Sequence, residues 1–269
     1  MFTGFMVNTW AEASIMAVVA GAVGFFVVMR GATFAAHAIP QGAFTGAAGA
    51  ALIGANTLVG VGAFSLFGVV TIARWGRRGR HDVVTALTLV TLLGLGALFL
   101  SMSTEYSEQT FSLLFGEPLA VSASEILPTA AIGAACLGLV VLLYRRLVLS
   151  TVAPELAAAQ GIRPQQVELW FLLAVGAATT MALPVVGALL VFSLMIGPPA
   201  AARYLTDRPV AAMLASSALA LVTVWLSIAA SFWSNWPVGF FVGSLGAVWY
   251  VAGRAWARRG QQSPANVEK

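Results

Sequence analysis

The chain has 269 residues, of which 59% are hydrophobic and only 9% are charged, and its mean hydropathy is +0.90. A soluble domain carries about a quarter charged residues, so this composition excludes a soluble globular protein and predicts an integral membrane protein. Apolar runs of about 20 residues recur along the chain, which favours membrane helices over a barrel. Cys136 is the single cysteine, so a disulfide framework and a thiolate metal cluster are both excluded.

Nine membrane spans are predicted in chain order, and the predicted fold class is therefore an all-α polytopic membrane protein. The spans are Ala13–Met29, Thr33–Gly54, Leu58–Ala73, Val83–Ser101, Glu125–Leu143, Val167–Met181, Val185–Ala202, Val210–Ala230 and Val238–Gly253. The sixth and seventh spans form a hairpin that is predicted to turn at Pro184. The loop at 102–124 contains the segment FSLLFG, a candidate to dip back into the bilayer. Residues 1–255 are predicted to form one transmembrane domain, and 256–269 a flexible cytoplasmic tail.

The loops between these spans differ in charge. With nine spans, all 14 Lys and Arg residues fall on one side of the membrane. The charged residues predicted on the opposite side are all acidic, and they are Glu12, Glu105, Glu108, Glu117 and Glu125. Positive charges mark cytoplasmic loops, so the N-terminus is predicted outside and the C-terminus in the cytoplasm.

The longest break between hydrophobic blocks that is itself helical in character is Tyr144–Pro164. Pro154 suits a first helical turn, Glu155 favours the positive end of the helix dipole, and Gly161 is a natural stop. Such a short helix is only marginally stable alone in water, so it must pack against another structural element. It is either an ordinary loop with one helical turn or a docking helix for a soluble partner. The charge rule places it in the cytoplasm and favours the docking helix.

No nucleotide-binding glycine loop, HExxH motif or nucleophile elbow is present in the sequence, so catalysis is not predicted. A polar residue in a membrane span is the default functional candidate. His37 and Gln41 lie four residues apart and share one helix face. An imidazole is a good ligand for divalent metals and an amide oxygen a weak one, although His37 would equally bond to a backbone carbonyl. His81 is interpreted as a solvated loop residue, and Asp82 as the cap of the fourth span.

Four blocks, in order along the chain, resemble the permease subunits of the zinc/manganese-type ABC importers. They are FVVMRGATF at Phe26–Phe34, LLFGEPLAVSASE at Leu113–Glu125, STVAPELAAAQGI at Ser150–Ile162 and VVGALLVFSLMIGPPAAARYLTDRP at Val185–Pro209. The third resembles the family's coupling helix, and the fourth its VGALL…SLLI.PAA.AR block. Together the blocks extend over nearly the whole chain.

The resemblance implies a homodimer in a bacterial plasma membrane, with one ATPase subunit docked under each copy. Coupling to the ATPase would fall to Pro154, Glu155, Leu156, Ala157 and Gly161. ATP would bind the partner subunit, no cofactor would reside in this chain, and an extracytoplasmic binding protein would deliver the metal. The expected cargo is zinc first, and manganese or iron next.

One departure from the family concerns the second span, where the family carries an Asp-x-x-x-His pair thought to contact the metal. The matching positions are assigned to His37 and Gln41, which lack the carboxylate and predict weaker or different metal binding. Three rivals stay open. They are a self-sufficient secondary transporter, an ABC permease for a non-metal substrate, and a membrane scaffold.

Overall fold

The computed structural model describes residues 5–76, 81–102 and 123–261. Every regular element within these ranges is an α-helix, and we number the helices in chain order. They are α1 (Phe5–Arg30), α2 (Thr33–Leu52), α3 (Thr57–Trp75), α4 (His81–Ser101), α5 (Ala123–Val152), α6 (Pro154–Ala159), α7 (Pro164–Val186), α8 (Ala188–Leu205), α9 (Pro209–Ser234) and α10 (Val238–Gln261).

The predicted spans and the observed helices correspond closely. In the part of the chain that the structure describes, each predicted span falls on one long helix, and α6 is the additional short one. Seven of these helices, α1, α3, α4, α5, α7, α9 and α10, are long and apolar enough to cross a membrane. The all-helical, multi-pass character is thus confirmed, while the number of nine spans stays a prediction. Helix α10 continues to Gln261, past the predicted end at Gly253, and the FSLLFG segment lies outside the described residues.

Two helices form the centre of the packing. Helix α1 is largely buried and contacts α5, α7, α8 and α9. Helix α2 packs among α3, α4, α7 and α8, and small residues let it approach α3 very closely. A Cβ atom on Gly46 would overlap the backbone carbonyl of Gly60, so only glycine permits this spacing. The predicted polar pair of α2 therefore lies inside the bundle.

The turn between α7 and α8 is buried. Ala188 packs with Ala43 and Ala47 of α2 and with Val61 of α3, and Gly187 makes the turn with a φ of 79°. The Gly187 amide donates to the Leu183 carbonyl at 2.9 Å. Protein therefore surrounds this turn.

The predicted turn at Pro184 is therefore wrong by three positions, because α7 continues through Val186. Gly187 supplies the positive-φ backbone, with a φ of 79° and a ψ of 161°, that ends the helix and that only glycine adopts easily. This later turn fixes where α8 begins, and it places Phe192 against α2.

The predicted orientation can be tested with single cysteines in a Cys136→Ala background. Ser234→Cys lies at the exposed end of α9, and Gln160→Cys lies at the exposed end of α6. We expect an impermeant thiol reagent added outside intact cells to label Ser234→Cys and to spare Gln160→Cys. Lysed cells, in which both positions should react, provide the control. The opposite labelling in intact cells would reverse the predicted topology.

Candidate transport and coupling sites

The candidate transport residues both lie on α2, where Gln41 is buried and His37 is partly buried. The His37 ring packs edge-on against Phe192 of α8, with ring centroids 4.6 Å apart. Its Nδ1 atom is buried and has no hydrogen-bond partner among the described residues. Gln41, one turn later, is only 7% exposed. A buried polar atom without a protein partner calls for an explanation, such as an ordered water or a passing ion.

A proline inside α2 deprives one backbone carbonyl near His37 of its usual helical donor. Pro40 lies inside the helix, between His37 and Gln41. Proline has no amide hydrogen, so it cannot donate to the carbonyl of Ala36 one turn earlier. The neighbourhood thus offers an imidazole nitrogen, an amide oxygen and a backbone carbonyl oxygen.

This donor set is weak for a metal. Among the described residues no group of three or more His, Cys, Asp or Glu side chains lies close enough to hold a metal ion. Only one donor of the set, the imidazole, is a good ligand for these ions, and the neutral amide and carbonyl oxygens hold a divalent ion less tightly than a carboxylate or thiolate would. Weak binding suits a site that an ion must leave quickly, and it does not suit a resident structural metal.

The predicted coupling residues form a separate, exposed unit. Helix α6 starts with Pro154 in its first turn, and Glu155 and Leu156 are exposed. Leu156 is 52% exposed, whereas Ala157 is 2% exposed and faces the body of the protein. Gly161 follows the helix with a φ of 73°. The sequence-predicted short helix is thus present, with one face anchored and an apolar side chain presented outward.

A polar cluster next to α6 was not predicted. The Arg30 side chain, at the end of α1, donates from Nη2 to Glu168 Oε2 of α7 at 2.8 Å. It also donates from Nη1 to Ser150 Oγ at 2.9 Å and to Thr151 Oγ1 at 3.1 Å, both on α5. On α4, His81 Nε2 lies 3.5 Å from Glu168 Oε1. We call Arg30, His81, Ser150, Thr151 and Glu168 the Arg30 cluster.

Two sequence interpretations are corrected here. His81 is not a solvated loop residue, since it is the first residue of α4 and lies partly buried beside Glu168. Asp82 lies in the first turn of α4 rather than at the cap position, where its charge still favours the helix dipole. One signal for the cluster was present in the sequence, because Glu168 is an acidic residue inside a predicted span.

These features define the class of the protein. Its helices are those of a polytopic membrane protein, and a short exposed helix joins two of the long ones. The profile of the ABC 3 transport family matches residues 3–255, and the chain therefore belongs to the ABC 3 transport family. This confirms the resemblance of the four sequence blocks, and the chain is a permease subunit of the zinc/manganese-type ABC importer family.

Individual relatives agree with this assignment. The chain is 27% identical to the manganese import system permease protein ScaB of Streptococcus parasanguinis, over 92% of this chain and 89% of the relative. It is 30% identical to the manganese transport system membrane protein MntC of Halalkalibacterium halodurans, over 76% and 70% of the two chains. Its fold matches a chain of the solved structure of PsaBC from Streptococcus pneumoniae in complex with Fab. That match has a TM-score of 0.83 at 24% identity, over 93% of this chain and 91% of the other.

Proposed function

We propose that this chain is the membrane-spanning subunit of an ATP-driven importer of divalent metal ions in a bacterial plasma membrane. Two copies pair around one pathway, an ATPase subunit docks under each copy, and an extracytoplasmic protein delivers the ion. ATP binding and hydrolysis by the partner drive alternating access, while this chain carries out no covalent chemistry. Family membership supports the transport role.

The observation that carries the proposal is helix α6. It is anchored through Ala157 and presents Glu155 and Leu156 outward. An exposed leucine on a short helix is suited to a groove on a protein partner. The neighbouring cations Arg145, Arg146 and Arg163 favour a cytoplasmic location, where an ATPase would lie.

Manganese is the first ion to test, although the sequence blocks alone favoured zinc. The names of two relatives, ScaB and MntC, specify manganese, and this similarity favours manganese as the ion to test first. The donor set near His37 suits either ion, because imidazole suits zinc and amide or carbonyl oxygens suit the harder manganese.

The test uses vesicles that contain this chain, its ATPase subunit and its binding protein. We expect manganese uptake that requires hydrolysable ATP, and we expect zinc or iron(II) to compete if the weak donor set discriminates poorly. Vesicles loaded with a non-hydrolysable ATP analogue serve as the control.

Other results would support the rival functions. Metal uptake driven by an ion gradient without ATP would indicate a secondary transporter. ATP hydrolysis that depends on the binding protein, without transport of any of these metals, would indicate an ABC permease for a non-metal substrate. That second alternative has one observation in its favour, which is the lack of a carboxylate beside His37 on α2.

A further inference from the structure

We propose that the Arg30 cluster transmits the movement of α6 to the transport residues of α2. In this proposal, Arg30 and Glu168 are positioning residues whose ion pair makes the two ends of α6 and the end of α1 move together. The inference rests on the proposed docking role of α6. The experiment below separates failure of the cluster from failure of the docking.

The connectivity of the chain is the first argument. Helix α6 connects α5, which ends at Val152, to α7, which begins at Pro164. Ser150 and Thr151 lie in the last turn of α5, and Glu168 lies early in α7. The guanidinium of Arg30 contacts all three of these side chains. One side chain of α1 thus bridges both helices that hold α6, although it comes from 120 to 138 residues earlier in the chain.

The geometry of the bridge makes it stiff. A guanidinium is planar and presents its donors in a fixed fork, so it can hold two partners at set angles. The Arg30 side chain is 13% exposed and that of Glu168 27% exposed, so water screens this pair less than a surface pair. The Arg30 Cζ atom also lies 5.2 Å from the centre of the Phe171 ring of α7. A single exposed ion pair would contribute little, but this one combines charge, several hydrogen bonds and a ring contact.

The path from Arg30 to the transport residues is short. Arg30 is the last residue of α1, and α2 begins at Thr33. The turn between them is tight, since the Ala32 amide donates to the Val27 carbonyl at 2.9 Å and Gly31 has a φ of 69°. A displacement of the end of α1 therefore moves the start of α2, where His37 lies within the second turn. His81 Nε2 of α4 lies 3.5 Å from the same carboxylate, and α4 packs on α2.

The test compares Arg30→Gln, Glu168→Gln and the double substitution in the full complex of permease, ATPase and binding protein. Metal uptake and ATP hydrolysis are measured in the same vesicles, together with the amount of ATPase that copurifies. We expect each single variant to keep its ATPase and to hydrolyse ATP, while manganese transported per ATP falls about tenfold, the scale of one charge-assisted contact. The double variant should be no worse than either single variant, because both remove the same contact.

Two further variants protect the test from simple misfolding. Arg30→Lys keeps the positive charge opposite Glu168 but loses the forked set of guanidinium donors. The manganese transported per ATP should therefore lie between the values for wild type and Arg30→Gln. Ser150→Ala removes one contact to α5 and leaves the ion pair in place, so a smaller loss is expected. Arg146→Gln is the matched control, since it removes an exposed guanidinium from α5 and should transport as wild type does.

Three results would overturn the proposal. The first is wild-type transport per ATP in Glu168→Gln with the ATPase bound. The second is a double variant whose loss is the product of the two single losses. The third is loss of the ATPase from Arg30→Lys, because the cluster would then only hold the docking surface in shape. Failure of the proposed docking role would appear in a different experiment, as an ATPase subunit that still copurifies when Leu156 is replaced by Glu.

Discussion

Replacing Leu156 by Glu is expected to release the ATPase subunit from the permease. Leu156 is 52% exposed on α6, and burying a leucine against a partner contributes roughly 1.5–3 kcal/mol. A glutamate at this position loses that term and also places a charge in an apolar contact. We expect at least about tenfold less copurifying ATPase, the factor that corresponds to about 1.4 kcal/mol. The measurement is the ATPase-to-permease ratio after affinity purification.

The same chain offers a matched control for this experiment. Leu205 ends α8 and is 49% exposed, so Leu205→Glu makes the same chemical change on a comparably exposed leucine. It should retain the ATPase, and both variants should be expressed in the membrane at wild-type levels. Equal retention by the two variants would mean that α6 is not the docking element. Equal loss would mean that a charge anywhere on this face disrupts assembly.

Helix α6 could be predicted from the sequence because its signals are local. Pro154 begins the helix, Glu155 lies in its first turn, and Gly161 adopts the positive φ that follows its end. The long helices could be located for a similar reason, since length and hydropathy are properties of a single segment. These local signals do not show how deeply a turn is buried inside the protein. The turn at Gly187 is buried against α2 and α3, and nothing in the α7–α8 sequence alone indicates which helices surround it.

The Arg30 cluster illustrates the other limit. In the sequence alone, Arg30 is a topology signal and His81 belongs to a solvated loop, because only the neighbours of each residue along the chain are known. Their relation depends on Glu168, which is 138 residues from Arg30. Only the packing of α1, α4 and α7 brings these groups together. An acidic residue near the end of a membrane span was the one available hint, and it did not identify the partner.

Replacing His37 by Ala is expected to reduce metal uptake while leaving ATP hydrolysis and assembly intact. The ring reaches the α2–α8 interface, and its buried Nδ1 has no partner within the described part of the chain. Loss of one donor from a weak site should lower uptake by about tenfold or more, which corresponds to about 1.4 kcal/mol of binding or above. Phe192→Leu is the matched control, since it removes the ring that packs on His37 and leaves the donor. Phe192→Leu should reduce metal uptake much less than His37→Ala does.

The pH dependence and a second substitution sharpen the prediction. Metal binds only the neutral imidazole, so wild-type uptake should fall when the medium is acidified enough to protonate the ring. His37→Asp supplies an oxygen ligand that stays ionised to lower pH. It should retain uptake, shift the preference toward manganese over zinc, and move the loss of uptake to more acidic pH. Uptake by His37→Ala at the wild-type rate, with an unchanged pH profile, would make His37 a packing residue. The ion would then pass along backbone carbonyls such as that of Ala36, to which Pro40 has no amide hydrogen to donate.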